Sequence, residues 1–348
     1  MNATLLTDGP QFDPSEIYRR RDGIYATDLL ITGLVWLDFF SWLARKPADV
    51  ATICRELGLA ERPVDVMLTY FAAAGFVVNR GGVFEVTALA REHLVQGSPW
   101  FIGPYYGSLK DRPVCLDLLK VLRTGRPANW GSSEREKEWS KAMESDEFAR
   151  GFTAAMDCRG AFLGRALARA VDCGGRRRLL DIGGGSGIYA CAFAANHPQL
   201  TAAVFEKPPV DRIARTLIAE RGFAEKVSVI AGDMFGAPLP TGFDLHLMSN
   251  VLHDWDVPVV RELLARSFAA LEPGGVLVLH DMHLNAAKDG PLPAAEYSVI
   301  LMHSTEGRIY SVAEMEAWLT AAGFGGVTFQ PTAADRSVMT ARKPNAGR

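Results

Sequence analysis

Apolar side chains crowd the N-terminal part of the chain and then settle into two different rhythms. Between Ile17 and Ala44 they predominate, with Trp36, Phe39, Phe40 and Trp42 gathered towards the end. That pattern predicts a long helix that must be covered, by its own domain or by another subunit. Ala48 to Leu59 and Arg62 to Ala74 read as two shorter helices, the second stopping at Gly75 as a helix C-terminus does. Phe76-Val77-Val78, the turn Asn79-Arg80-Gly81-Gly82 and Val83-Phe84-Glu85-Val86 predict a hairpin whose glycines take positive φ. Two short helices followed by a hairpin make a winged helix. From Leu116 to Ala170 the spacing is helical again, broken at Gly125-Arg126-Pro127 and polar from Ser132 to Lys141.

From Arg176 the rhythm changes. Short runs rich in β-branched and aliphatic residues (178–181, 202–206, 227–230, 245–248 and 276–279) alternate with helical patterns at 188–195, 210–221 and 258–271. Strand, helix, strand at this spacing predicts an α/β fold with a doubly wound, mostly parallel sheet. Two late runs, 326–329 and 337–340, predict an antiparallel pair closing one edge. The organisation expected from chain order is a mostly helical winged-helix dimerisation domain over 1–110, a helical connector over 111–172 that contributes to the substrate pocket, and a Rossmann-like domain over 173–348.

Composition narrows the partners. Hydrophobic residues make up 48% of the 348 and charged residues 22%, enough to bury a large core and too apolar for disorder. Lys+Arg 37 against Asp+Glu 40 leaves a net charge of -3, which argues against a general polyanion binder. The helix that would read a DNA groove, Arg62 to Ala74, carries one Arg and one Asp, so packing and dimerisation are the better use of the winged helix. The five cysteines are scattered without metal-type pairing and read as free thiols. The start lacks a basic and then apolar leader, and the most apolar stretch, Leu29 to Leu43, is interrupted by Asp38 and Ser41. A cytoplasmic protein outside the membrane is expected.

The chemistry lies where the strand runs end. The first ends in Asp181-Ile182-Gly183-Gly184-Gly185-Ser186-Gly187 and enters a helix, a turn that lets backbone approach a ligand closely. The spacing is not that of a dinucleotide fingerprint, and Asp181 would repel a phosphate. The second run ends in Glu206, placed to accept hydrogen bonds from ribose hydroxyls. The third leads into Gly232-Asp233-Met234-Phe235, an acid followed by apolar and aromatic groups that suit an adenine. Carboxylates at successive strand ends without a basic clamp select a positively charged nucleoside lacking phosphate, which describes S-adenosylmethionine.

With Val251-Leu252-His253-Asp254-Trp255 after the fourth run, these motifs resemble class I methyltransferases of the caffeic-acid O-methyltransferase type, a group with many bacterial members in antibiotic and pigment biosynthesis. The likeness spans nearly the whole chain, since that family also dimerises through an N-terminal winged helix. It implies that Asp181, Gly183, Gly185, Glu206, Gly232, Asp233, Met234, Phe235 and Ser249 bind the cofactor, which leaves as S-adenosylhomocysteine. It implies His253 as general base with Asp281 orienting it, and Met156, Trp255, Met302 and His303 against a small-molecule acceptor; Phe152 and Trp130 are further pocket candidates. Three positions depart from the plant pattern: Glu206-Lys207-Pro208 replaces Asp-Leu-Pro, Ser249 replaces a Lys, and Ile309 stands where a second His-orienting Glu would be.

The favoured reaction is methylation of a phenol, enol or hydroxypyrrole-like hydroxyl, for which an imidazole titrating near neutral pH is a suitable base. The competing chemistry uses His253, Asp254 and His303 as a two-histidine, one-carboxylate metal set that acidifies the β-carbon of an α-keto acid for C-methylation. Nucleic-acid methylation is disfavoured because Ser249-Asn250-Val251-Leu252 replaces the Asn/Asp-Pro-Pro-aromatic segment. A non-catalytic sensor of the cofactor is the remaining class. A homodimer through the N-terminal helices is expected.

Overall fold

A computed structural model describes residues 5–128, 143, 145–236 and 238–345; Trp130 and the polar stretch from 132 to 141 lie outside them. The chain divides into two compact units, each discontinuous in sequence. One consists of Ile17–Lys137 and Leu284–Ser311, the other of Met1–Glu16, Glu138–His283 and Val312–Arg348. Chain order groups Leu284–Ser311 with the sheet, whereas its contacts group it with the N-terminal helices.

The first unit is mainly helical. The long helix expected over Ile17–Ala44 is a series of pieces instead: Ser15–Asp22, Ala26–Ile31, a π-helical turn Thr32–Trp36, and Phe39–Arg45. The last break falls at Asp38, which adopts a left-handed conformation at φ 45°. It lets Phe39 and Phe40 turn inward onto Phe71, with ring centroids 5.7 and 4.8 Å away. Leu29, Ile31, Phe39, Phe40 and Leu43 are fully buried within this one chain, whereas Ile17, Ile24 and Trp36 of the same run stay exposed. Among the described residues no single helix is long and apolar enough to cross a membrane; the pair Ser15–Trp36 and Phe39–Arg45 has the length and composition but is bent by 59°.

Helix Val50–Leu57 starts where the Asp49 side chain accepts from the Thr52 amide and stops at Gly58 in the left-handed region, and helix Glu61–Ala73 follows. The hairpin pairs β1 (Val77–Arg80) with β2 (Val83–Val86) antiparallel. Its turn is tighter than the sequence suggested: only Gly81 and Gly82 lie between the strands, at φ 65° and 95°, a pairing that needs two residues tolerant of positive φ. Helices Ala88–His93, Gly103–Gly107, Pro113–Thr124 and Leu292–Ser304 complete the unit.

The second unit is built on a seven-stranded sheet: β3 (Arg178–Ile182), β4 (Thr201–Glu206), β5 (Val227–Ala231), β6 (Phe243–Ser249), β7 (Leu271–Asp281), β8 (Gly325–Pro331) and β9 (Ser337–Arg342). The order is β5-β4-β3-β6-β7-β9-β8. The first five strands in that order run parallel, while β9 is antiparallel to both β7 and β8. This is the doubly wound Rossmann-like sheet expected, including the antiparallel pair at one edge. Helices Asp146–Ala170, Ile188–Asn196, Val210–Glu220, Val257–Ala270 and Val312–Ala321 belong to this unit. The central strands β3, β4 and β6 are nearly continuous buried runs, as strands covered on both faces require, while the edge strand β8 is exposed. Winding reverses between β3 and β6, and the crevice at their carboxyl ends is where such sheets bind ligands.

Candidate active site

β3 delivers Asp181 and the glycine turn to that crevice. Gly183, Gly185 and Gly187 all have positive φ, at 65°, 55° and 76°. Their reasons differ. A Cβ on Gly187 would lie 2.8 Å from Ile218, so this glycine makes room for helix Val210–Glu220. A Cβ on Gly185 would meet nothing within 4 Å, which leaves its backbone bordering open space where a ligand can approach. Gly184 would strike the Asp181 carboxylate at 2.6 Å. Gly232 makes room for the Phe205 ring, 2.4 Å from where its Cβ would be.

The carboxylates are buried to different depths. Glu206, at the end of β4, accepts from the Gly185 amide at 3.1 Å and from its own neighbour Lys207 at 2.9 Å. Burial raises its pKa against those two bonds. Burial also pushes the Asp181 carboxyl up to about 7, against a hydrogen bond from the Ala190 backbone and helped by the charge on Glu206. A cationic ligand would relieve both carboxylates; an anionic one would add to their repulsion. After β5, Asp233 accepts from the Phe235 amide at 2.9 Å, and the Phe235 ring meets Trp255 edge-on at 4.7 Å. Met234 lies near Gly183, its sulfur 3.9 Å from where a Cβ there would stand.

β6 and β7 bring the proposed base and its partner together from 28 residues apart. His253 Nδ1 lies 2.8 Å from Asp281 Oδ1. A carboxylate can only accept, so Nδ1 carries the hydrogen and Nε2 is the nitrogen able to take a proton. Burial alone would raise Asp281, yet the His253 charge and hydrogen bond, with the His283 charge and the Met282 amide, hold its carboxyl below the usual range. A second carboxylate, Asp254 Oδ1, lies 3.7 Å from His253 Nε2; burial lifts it to about 6.

Three other buried histidines of this unit are furnished differently. His246 Nδ1 pairs with Ser267 at 3.0 Å, His280 Nδ1 with Ser249 at 2.9 Å, and His283 Nδ1 with Ser337 at 2.8 Å. Burial drives them down to about 3, 3 and 4 respectively. A hydroxyl offers no formal charge to an imidazolium; a carboxylate hydrogen-bonded directly to the ring does. His253 alone of the four has that partner. Ser249, expected beside the cofactor, thus also serves His280, and it accepts from Asn250 Nδ2 at 3.0 Å. The same amide reaches the Tyr189 hydroxyl at 3.2 Å. The sequence reading missed Tyr189 and the serine partners, which no local pattern marks; Asn250, at φ 55°, is a residue type that tolerates the left-handed region.

Met156 is half-buried on helix Asp146–Ala170, as is Phe152. Met302 and His303 belong to the helical unit, on the last turns of Leu292–Ser304, and both are buried. His303 Nε2 stands 3.5 Å from Asp117 Oδ2 and its ring is 4.9 Å from Tyr25. Among the described residues no group of three or more His, Cys, Asp or Glu side chains is gathered to hold a metal ion. Position 309 carries a fully buried isoleucine and offers no carboxylate.

An O-methyltransferase domain model matches residues 117–325. The chain belongs to the O-methyltransferase family. This methyltransferase is 32% identical over 304 residues to the 3-hydroxy-5-methyl-1-naphthoate 3-O-methyltransferase of Streptomyces sahachiroi, 86% of each chain being covered. It is 30% identical over 311 residues to the L-tyrosine C(3)-methyltransferase of Streptomyces lavendulae, covering 84% of this chain and 82% of that one. An O-methyltransferase family 2 protein from Planctomyces limnophilus, solved in complex with apigenin, superposes with a TM-score of 0.87 at 32% identity over 99% of both chains. The family fixes the class of enzyme and its cofactor: a methyltransferase dependent on S-adenosylmethionine. The residues present fit that group, because an open approach at Gly185 is flanked by acids whose burial a positive charge relieves.

Proposed function

We propose that this methyltransferase methylates a hydroxyl of a small aromatic or enolic molecule of secondary metabolism, with His253 as general base. The observation that carries the reading is the 2.8 Å contact from His253 Nδ1 to Asp281, which leaves Nε2 able to accept a proton. When bound, the cofactor supplies an electrophilic methyl group on a sulfonium and leaves as S-adenosylhomocysteine. Asp181, Gly183, Gly185 and Glu206 would hold its methionine and ribose portions, and Gly232, Asp233, Met234 and Phe235 its adenine, with Ser249 nearby. Met156, Trp255, Met302 and His303 would contact the acceptor and set the in-line approach that methyl transfer needs. His253 Nε2 takes the hydroxyl proton as the acceptor oxygen uses its freed lone pair to form the new carbon–oxygen bond. Asp281 balances the imidazolium so formed.

The C-methylating relative supports a broader view of the acceptor atom. A phenol that has lost its proton carries electron density on ring carbon as well as oxygen, so one base serves either outcome. The keto-acid alternative needs His253, Asp254 and His303 as metal ligands.

Labelled cofactor with a panel of phenols, hydroxynaphthoic acids, hydroxypyrroles and α-keto acids identifies the acceptor class. Replacing His253 by Ala is expected to lower turnover of the best phenol by about 10²–10⁴-fold. S-adenosylhomocysteine affinity, measured by calorimetry, should stay within about twofold. Unchanged turnover removes His253 from the base role, and chelator-sensitive turnover of an α-keto acid would establish the metal chemistry in its place.

A further inference from the structure

Arg62 opens helix Glu61–Ala73, the helix that a nucleic-acid reading would send into a groove. Its guanidinium is engaged inside its own unit. Nη2 donates to the Gly125 carbonyl at 2.9 Å, Nη1 donates to Gly307 at 2.9 Å and to Thr305 at 3.1 Å, and both reach Met302 at 3.4 Å. Gly125 closes helix Pro113–Thr124, and Met302 lies in the last turn of Leu292–Ser304. Carbonyls at helix C-termini have no intrahelical partner and carry the negative end of the helix dipole. One planar cation with five donors serves several of them at once.

The same short segment is held from a second side. The Ala128 amide donates to the His303 carbonyl at 2.8 Å. One turn along from Arg62, Asp65 accepts from Arg308 Nε at 3.1 Å and pairs with Lys288. Both charged side chains of that helix face therefore grip the excursion Leu284–Ser311, near its beginning and at its end. Water can satisfy exposed helix carbonyls. Collecting four carbonyls, three at helix ends and that of Gly307 just beyond, on one half-buried fork also fixes where the turn lies, because a guanidinium admits only a narrow set of in-plane geometries.

We propose that Arg62 is a positioning residue for the methyl acceptor: it fixes the backbone of Met302–Gly307 and through it the stance of the Met302 and His303 side chains. This rests on the reading of Met302 and His303 as acceptor contacts. Arg62 acts through them and takes no part in the chemistry.

The test compares wild type, R62M and R62K on the panel phenol that wild type methylates fastest. R62M is expected to raise the acceptor KM about tenfold while kcat and S-adenosylhomocysteine affinity move less than about twofold. R62K should restore much of the melting temperature yet keep a raised KM, since one ammonium cannot reach four carbonyls. Hydrogen exchange should show the amides of 303–309 opening faster in R62M. A lower melting temperature with unchanged acceptor KM would make the clamp merely structural and overturn the proposal, as would unchanged exchange at 303–309. M302A and H303A separate the two readings. If neither raises the acceptor KM, the lining assignment fails; if they raise it and both Arg62 variants leave it alone, only the role of Arg62 falls.

Discussion

Three buried histidines on or just beyond β6 and β7, His246, His280 and His283, meet serine hydroxyls, and burial holds each of them neutral at pH 7. His246 is wholly enclosed on β6 with Ser267 as its partner, and burial takes it down to about 3. Below about pH 6.5 the unfolded chain binds a proton there that the folded chain refuses, so stability falls as pH drops towards 3. Asp181 and Asp254, lifted to about 7 and about 6, act with the opposite sign, because the folded chain keeps protons there that the unfolded chain has lost. The total slope is therefore a balance, and single substitutions resolve it. Between pH 6.5 and 4, unfolding free energy of H246N should fall less steeply than that of wild type by about one proton, or about 1 kcal/mol per pH unit. Coincident slopes from urea titrations would show that His246 is not held neutral. His253 differs in having a carboxylate partner, and that pairing was expected beforehand only through the family resemblance, since no local pattern joins the two residues. The serine partners were not, since Ser267, Ser249 and Ser337 sit in unremarkable sequence.

At the scale of elements, the glycine turn divides its labour. Ala at Gly185 faces open space and carries mainly the left-handed cost, about 1–2 kcal/mol. Ala at Gly187 adds a collision with Ile218, for a loss of about 2–4 kcal/mol. G185A should therefore melt closer to wild type while losing about tenfold or more in S-adenosylhomocysteine affinity, because its methyl group occupies the approach. Calorimetry that finds equal affinity would move the cofactor away from this turn. The cores of the strands were readable, since a strand buried on both faces is a local apolar block, though β7 starts at Leu271, well before the run read at 276–279. The pieces of Ser15–Arg45 were not: hydrophobic rhythm reports burial, and says nothing of the left-handed Asp38 that turns Phe39 and Phe40 onto Phe71. The excursion Leu284–Ser311 escaped the same way, its partners Arg62 and Asp65 lying more than two hundred residues upstream.

For the molecule as a whole, the question of a second copy changes its footing. Much of the apolar run that suggested a homodimer is covered within one chain, though Ile17, Ile24 and Trp36 are not. Large apolar side chains are nonetheless exposed on the helical unit: Trp100 is 64% exposed, Tyr105 79% and Ile24 59%, with Ile102, Leu109 and Leu116 also uncovered. Exposed apolar groups in such number are a feature of association surfaces. Light scattering at micromolar concentration is expected to give twice the chain mass, and substituting Trp100 and Tyr105 by Lys together should return it to one. A wild-type monomer would refute the expectation.

The interleaving of the two units bears on how such enzymes could be recombined. A crossover placed between them at one point would graft the helices of Ile17–Lys137 while leaving behind the twenty-eight residues of Leu284–Ser311 that complete them. Hybrids between relatives should therefore succeed only when both stretches come from the same parent. On the ribosome, too, the early helices wait: the stretch that finishes their fold emerges only after the whole of Glu138–His283 has been made.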